Sequence, residues 1–314
     1  MSAYIIKRLL SLIPILLIAS FAIFIFLRLG GTDPVTQFLL NSHIPQTPQL
    51  IAELTEEFGL HKPLLEQYIV WLGGVFKGDF GTSYMNGRNV GADFFYYLPN
   101  TLLLVFFGFM LTLILSIPLG ILSAIYEGKW LDKTLQILCL VGVSVPNFWF
   151  ALLLIAFFCV SLQWLPAISD GSLVSFILPT ISIALMSICI NARLIRANML
   201  QVRTQYHILY ATLRDIPRYK IITKHILYNA LIPIVTAFGM HIGELIGGCL
   251  LVESIFAIPG IGLYSIQAVT NHDYPVIQCF VLVLCGIFTL CNILTDILYA
   301  LLDPRISKNF KGAQ

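Results

Sequence analysis

Residues Tyr206–Thr236 read YHILYATLRDIPRYKIITKHILYNALIPIVT. Arg214, Arg218, Lys220 and Lys224 crowd its first part, and an unbroken apolar run resumes at Ala230. A second apolar run ends just before it, at about 198, so a basic loop lies between two segments too apolar for water. Pro217 divides the loop into two helix-compatible halves, which predicts a helix–turn–helix lying at a membrane surface. Leu209, Leu213, Ile216 and Ile221 recur among the charges and predict one face pressed against a partner.

The rest of the chain agrees with a bilayer setting. Of its 314 residues 58% are hydrophobic and only 11% charged, with a mean hydropathy of +0.88, which excludes an ordinary soluble protein. The seven cysteines fall in or beside apolar stretches without the spacing of a zinc site or a disulfide framework, so they read as small core residues. Six stretches are long enough to span: 9–28, 99–125, 135–160, 174–198, 230–254 and 277–301. The first follows Lys7 and Arg8, is longer than a signal-peptide core and has no small-x-small cleavage site after it, so a retained helix is expected.

Six spans place both termini on one side. With that side cytoplasmic, only Arg28, Lys62, Lys77 and Arg88 of the 18 basic residues remain outside, as the positive-inside rule requires. The expected organisation is an N-terminal helix at 1–28, an extracytoplasmic segment at 29–98, a five-helix core at 99–302 with a cytoplasmic loop at 199–229, and a tail at 303–314. In the extracytoplasmic segment, Pro63 and Gly78-Asp79-Phe80-Gly81 punctuate the pattern as turns. It reads either as a cap packed on the helices or as a docking surface. Pro118, Pro146 and Pro179 are expected to set kinks or helix ends.

No catalytic pattern accompanies these spans. There is no G-x-x-x-x-G-K-[ST] phosphate loop, no H-E-x-x-H zinc motif and no G-x-S-x-G nucleophile elbow. An intramembrane enzyme and an ion-coupled secondary transporter are the readings from other classes.

The loop resembles the cytoplasmic "EAA" loop of permease subunits of binding-protein-dependent ABC importers, in the branch that carries dipeptides, oligopeptides and nickel. Carried over residue by residue, Tyr210-Ala211-Thr212 occupies the E-A-A position, and His225, Asn229 and Pro233 follow at the family's intervals. Asp215 stands where the family has a glycine, and Asp is one of the few other residues that tolerate a left-handed turn. The segment LxxEFGLHKPLLEQYxxWL...GDFGTSY...LPNTL, and Asn292, Asp296 and Asp303-Pro304-Arg305 near the end, resemble the same branch. The resemblance implies an all-α polytopic fold of the type I ABC importer permease kind, in a bacterial cytoplasmic membrane. It implies that Leu209, Tyr210, Ala211, Thr212, Leu213, Arg214, Asp215 and Ile216 couple to an ATPase. The implied partners are a second permease subunit, two ATP-binding subunits that hold ATP and magnesium, an extracytoplasmic solute-binding protein and membrane lipid. No cofactor is expected on this chain, and no nucleic acid among its partners.

The fifth span places His241 and Glu244 at mid-membrane, three residues apart on one helix face. Charged groups there cost roughly 2.5–3.5 kcal/mol or more if they face lipid, so both are expected to face protein or water. One reading is a hydrogen-bonded buried pair; the other is a translocation pathway with transient metal ligands, since imidazole and carboxylate suit a borderline ion such as nickel. Met240 and Met186 add softer donors, and His272 in the outer loop is a candidate entry ligand. Gly239, Gly243 and Gly247 form a ladder on another face, expected to permit close helix approach. The sequence GMHIGELIGG, with AIPGIG and NHDYPVIQCF after it, looks more like the nickel member of the branch than the peptide members. Nickel is therefore the expected cargo, free or chelated, with short peptides or a metallophore complex as alternatives.

Overall fold

The computed structural model describes residues 2–30, 33–42 and 44–302. The expected tail at 303–314 lies outside the described residues, as do the side chains of Met240, Asp296 and Pro233. The fold is all-α, and among the described residues the one β contact is an isolated bridge between Thr82 and Asn89.

The long apolar helix α1 (Ser2–Leu29) opens the chain. Two short helices follow, each started by a local signal. Asp33 accepts from the N–H groups of Val35 and Thr36 to begin α2 (Pro34–Asn41), and Thr47 accepts from Leu50 to begin α3 (Pro48–Glu57). Proline occupies the first helical position of both, where its missing donor costs nothing. The segment at 29–98 continues with α4 (Leu64–Phe76) and the Asp79–Asn89 loop.

Helix α5 (Val90–Ile125) has Asn89 as its cap and 36 residues, about 54 Å at 1.5 Å per residue. That exceeds a bilayer core of about 30 Å, so its first turns project beyond the span read from 99 onward. The expected third span, 135–160, is not one continuous helix. It is divided into α6 (Trp130–Ser144) and α7 (Asn147–Leu154), the latter running on as a π-helical Ile155–Ser161, with a bend of 102° at the break. Pro146 supplies no N–H and forces Val145 into extended backbone. Five unbroken helices and this bent pair therefore stand where six straight spans were expected.

Helix α8 (Ile177–Arg203) leads into α9 (Tyr206–Leu213), and Pro217 starts the single turn α10 (Arg218–Lys220). A π-helical stretch, Ile221–Leu227, merges into α11 (Tyr228–Phe256). A left-handed Ala257 ends α11, and α12 (Ile261–Thr270) and α13 (Tyr274–Leu302) complete the order.

Helices α5 and α8 form the centre of the bundle, and small residues bring them together. A Cβ on Gly108 would lie 2.6 Å from the Ile183 side chain, and one on Gly120 would lie 2.6 Å from Ile195 and 2.8 Å from the Ala192 carbonyl. Leu104, Ile183, Leu245, Val252 and Phe256 fill the main core between α5, α8 and α11. The seven cysteines are free thiols; Cys139, Cys189, Cys249 and Cys279 are fully buried and the others half-buried.

Candidate functional site

At the end of the bundle where α8 runs out, α9 lies across the helix termini. Tyr206, Leu209, Tyr210 and Leu213 recur at helical spacing, and all four are exposed, Leu213 by 70%. Ile208 and Ala211 face the other way and are buried in a cluster with Ile195, Met199, Val202 and Ile226. The expected apolar face is therefore differently composed. Ile221 is buried and Ile216 half-buried in that same cluster, while Tyr206 joins the outer stripe. Ala211, in the E-A-A position, meets its own protein.

Asp215 has φ of +53°, in the left-handed region that glycine adopts most readily. It directs the chain from α9 back toward Pro217, and Thr212 closes the helix by donating its hydroxyl to the Ile208 carbonyl at 2.9 Å. Behind α9 is a cavity of about 710 Å³, lined by residues that include Ala124, Met199, Ile208 and Ile222, with Arg203 and Arg218 among them.

A half-buried ion pair braces this end. Arg196 on α8 donates Nε and Nη2 to the two Asp132 oxygens at 2.7 and 2.8 Å. Asp132 also accepts from the Ser123 hydroxyl at 2.6 Å and the Gly128 N–H at 2.9 Å. A bidentate pair with its remaining acceptor sites filled fixes direction as well as distance, so it ties the α5–α6 turn to α8. Neither residue stood out in the sequence; Asp132 four residues after a glycine turn was the available signal.

Midway along α11, His241 Nδ1 and Glu244 Oε2 are 2.5 Å apart. The histidine is buried, but the Glu244 side chain is 57% exposed. The pair thus joins core to surface. Gly247 and Leu251, one and two turns on, are exposed beside Glu244. The glycine ladder divides: a Cβ on Gly243 would collide with the Phe288 ring and one on Gly239 with Thr295, both on α13, whereas a Cβ on Gly247 meets nothing within 4 Å. Gly247 therefore takes no part in the packing expected of it. Met186 is partly exposed on α8, and His272 is exposed in the loop before α13 with φ of +55°.

Toward the other end of α11, Glu253 is completely buried. Thr101 donates its hydroxyl to Oε1 at 2.6 Å, and Oε2 accepts the N–H groups of Gly262 at 2.8 Å and Leu263 at 3.2 Å. The carboxylate thereby caps α12 from a neighbouring helix, satisfying donors that a helix start leaves open. Beyond the other end of α12, Asp273 accepts from the Ser83 hydroxyl at 2.5 Å and the N–H groups of Tyr84 and Met85 at 3.1 and 3.2 Å, tying the Asp79–Asn89 loop to the start of α13. Burial pushes the Asp273 carboxyl up, against those three donors, and burial pushes the Tyr84 hydroxyl up to about 12.

This arrangement has recognisable relatives. Residues 116–308 match the family described as "binding-protein-dependent transport system inner membrane component", and residues 1–105 match its N-terminal companion. The chain belongs to this permease family. It is 36% identical over 317 residues to the oligopeptide transport system permease protein AppB of Bacillus subtilis, covering 98% of this chain and 99% of that one. To the metal-staphylopine import system permease protein CntB of Staphylococcus aureus it is 34% identical, covering 98% of each. Among solved structures, an inward-facing MetNI methionine ABC transporter shares the fold with a TM-score of 0.57 at 17% identity, covering 67% of this chain and 96% of that chain. The protein is thus a multi-pass inner-membrane permease subunit of a binding-protein-dependent ABC importer. It is not an enzyme: a permease of this family works with a separate ATPase and a binding protein.

Proposed function

We propose that the chain forms half of the translocation pathway of an ATP-driven importer for nickel, free or chelated, with both termini cytoplasmic. The observation that carries the cargo reading is Glu244, an exposed carboxylate halfway along a spanning helix, held by the buried His241 at 2.5 Å. A charge at that depth is costly against lipid; a water-filled pathway or a facing subunit gives it a tolerable setting. Gly247 and Leu251 extend the same open strip. Among the described residues no three His, Cys, Asp or Glu side chains gather into a metal site. Two donors offer a passing contact, which suits cargo in transit and favours a metal that arrives with its own chelator. CntB, a relative named for a metal–metallophore complex, supports that form.

The outer stripe of α9, Tyr206, Leu209, Tyr210 and Leu213, is the surface gripped by the ATPase, and Asp215 sets its angle. The remaining partners are a second permease, two ATP-binding subunits carrying ATP and magnesium, and an extracytoplasmic solute-binding protein.

The second reading is a short peptide as cargo, favoured by the relatives named for oligopeptides and dipeptides. The assembled importer decides between them. Nickel with its chelator on the binding protein should stimulate ATP hydrolysis while dipeptides do not. His241→Ala and Glu244→Gln should each lower nickel uptake with complex yield unchanged, and a double variant no worse than either indicates one shared step. Stimulation by dipeptides alone overturns the metal reading.

A further inference from the structure

We propose that α4, in the middle of the segment between the first two spans, lies within the outer leaflet and is covered by lipid acyl chains. Its sequence is LLEQYIVWLGGVF, and from Ile69 to Phe76 the indole of Trp71 is the one polar side chain. A water-exposed cap helix has a polar outer face; this one does not. Leu65, Ile69 and Val70 are each at least 60% exposed, and Phe76 is 77% exposed. The charges lie at its two ends: Lys62 pairs with Glu66 at 2.9 Å at the start, and Lys77 and Asp79 follow Phe76.

The depth comes from what α4 touches. The Tyr68 hydroxyl lies 2.8 Å from Ser20 Oγ on α1. Its ring meets Phe21 and Phe24 edge-on at 5.3 Å, and Trp71 packs on Phe24 at 6.0 Å. At 1.5 Å per residue, Phe24 and Phe21 lie about 8 and 12 Å inside the outer end of α1 at Leu29. That is the depth at which interfacial helices bury their apolar faces, and well within the hydrocarbon of a 30 Å core.

At this level Arg28 Nη1 and Trp71 Nε1 are buried without a partner, whereas the groups at the start of α4 are paired. Arg28 Nε donates to Gln67 Oε1 at 3.1 Å, and Gln67 Nε2 satisfies the carbonyls of Leu60 and Lys62 at 3.1 and 2.8 Å. Backbone acceptors at the membrane entry of α4 are thus paired internally, as a lipid setting demands. Apolar side chains are left exposed on α1 as well, Ile18 and Phe26 by about 70%. The depth of its contacts on α1, and an exposed face that carries no charge from Tyr68 to Phe76, single out lipid over a water-borne binding protein. The inference holds whichever cargo is carried.

Collision measurements on the assembled importer in lipid nanodiscs test it. The seven natural cysteines are replaced, and a nitroxide is placed in turn at Ile69→Cys, Phe76→Cys and, as a solvated reference, Glu57→Cys. Labels at 69 and 76 should collide several-fold more with dissolved oxygen than with water-soluble chromium oxalate, and the label at 57 should show the reverse. Chromium access at 69 and 76 equal to that at 57 overturns the proposal in favour of a solvated cap. Exclusion of both agents overturns it in favour of a second subunit covering the helix. Val70→Cys gives the same reading if either substitution lowers assembly, which co-purification of the ATPase reports.

Discussion

Thr101 on α5 donates its hydroxyl to Glu253 on α11 at 2.6 Å, and Thr101 Oγ1 in turn accepts the N–H of Ile261 at 2.9 Å. One carboxylate and one hydroxyl therefore hold the first three N–H groups of α12, Ile261 through Leu263, and tie that short helix to two spanning helices. Gly260 and Gly262 make room: a Cβ on either would fall within 2.7 Å of the Glu253 carboxylate. Glu253→Ala leaves the Gly262 and Leu263 N–H groups and the Thr101 hydroxyl without that acceptor, at about 1–3 kcal/mol each. The variant should lose roughly 10 °C or more of thermal stability in the assembled importer. Glu253→Gln keeps an acceptor and should recover most of it, whereas Gly262→Ala should behave like the alanine variant.

The two sides of α9 predict two phenotypes. Leu209→Asp and Tyr210→Ala alter the exposed stripe alone, so the subunit should insert and fold normally while cargo-stimulated ATP hydrolysis falls roughly tenfold, as for a central interface residue. Ala211→Glu buries a charge among Ile195, Met199 and Val202, so it should lower the amount of folded subunit before coupling is reached. Fluorescence-detected size exclusion beside an ATPase assay separates the two.

Gly243 and Gly247 are one turn apart and should respond differently. Gly243→Ala pushes Phe288 away and should destabilise the α11–α13 contact by about 1–3 kcal/mol. Gly247→Ala meets open space and should leave the melting temperature of the isolated subunit within about 1 °C, an ordinary result for a site without close neighbours. Thermal melts of both variants check this.

Asp273 gives a pH signature. Burial raises its pKa in the folded protein above the ordinary value of 3.8, so the folded state binds the proton more tightly than the unfolded one. Its contribution is most favourable below the unfolded value and declines as pH rises through the folded value. The attachment of the Asp79–Asn89 loop should therefore tighten on acidification from neutral pH. Hydrogen exchange of the Tyr84 and Met85 amides, corrected for the intrinsic rate, should slow as pH falls from neutral through the raised carboxyl pKa toward the ordinary value, and Asp273→Asn should remove that dependence.

Much of this was legible in the chain itself. Apolar length placed α1, α5, α8, α11 and α13, because a segment that must pay for every exposed backbone group in lipid has few choices but helix. The left-handed turn at Asp215 and the helix start at Pro217 followed from local backbone chemistry. Local chemistry also held the signal for the bend at Val145–Pro146, but hydropathy ran straight across it, since a broken apolar helix and an intact one have the same composition.

Tertiary structure decided which way side chains look. Spacing put Ala211 on the coupling segment and Gly247 in the ladder, but only the neighbours present at each height show that Ala211 meets its own core and Gly247 meets none. His241 and Glu244 share a face by periodicity, yet one is buried and the other exposed because α11 touches other helices over only part of its circumference. Contacts that join distant segments, Asp132 with Arg196, Thr101 with Glu253, Ser83 with Asp273, leave no periodic trace in a single chain. The sequence alone thus determined a membrane-spanning helical permease and the turn between its basic-loop helices, through local rules of burial and turn geometry; which faces remain open depended on the assembled bundle.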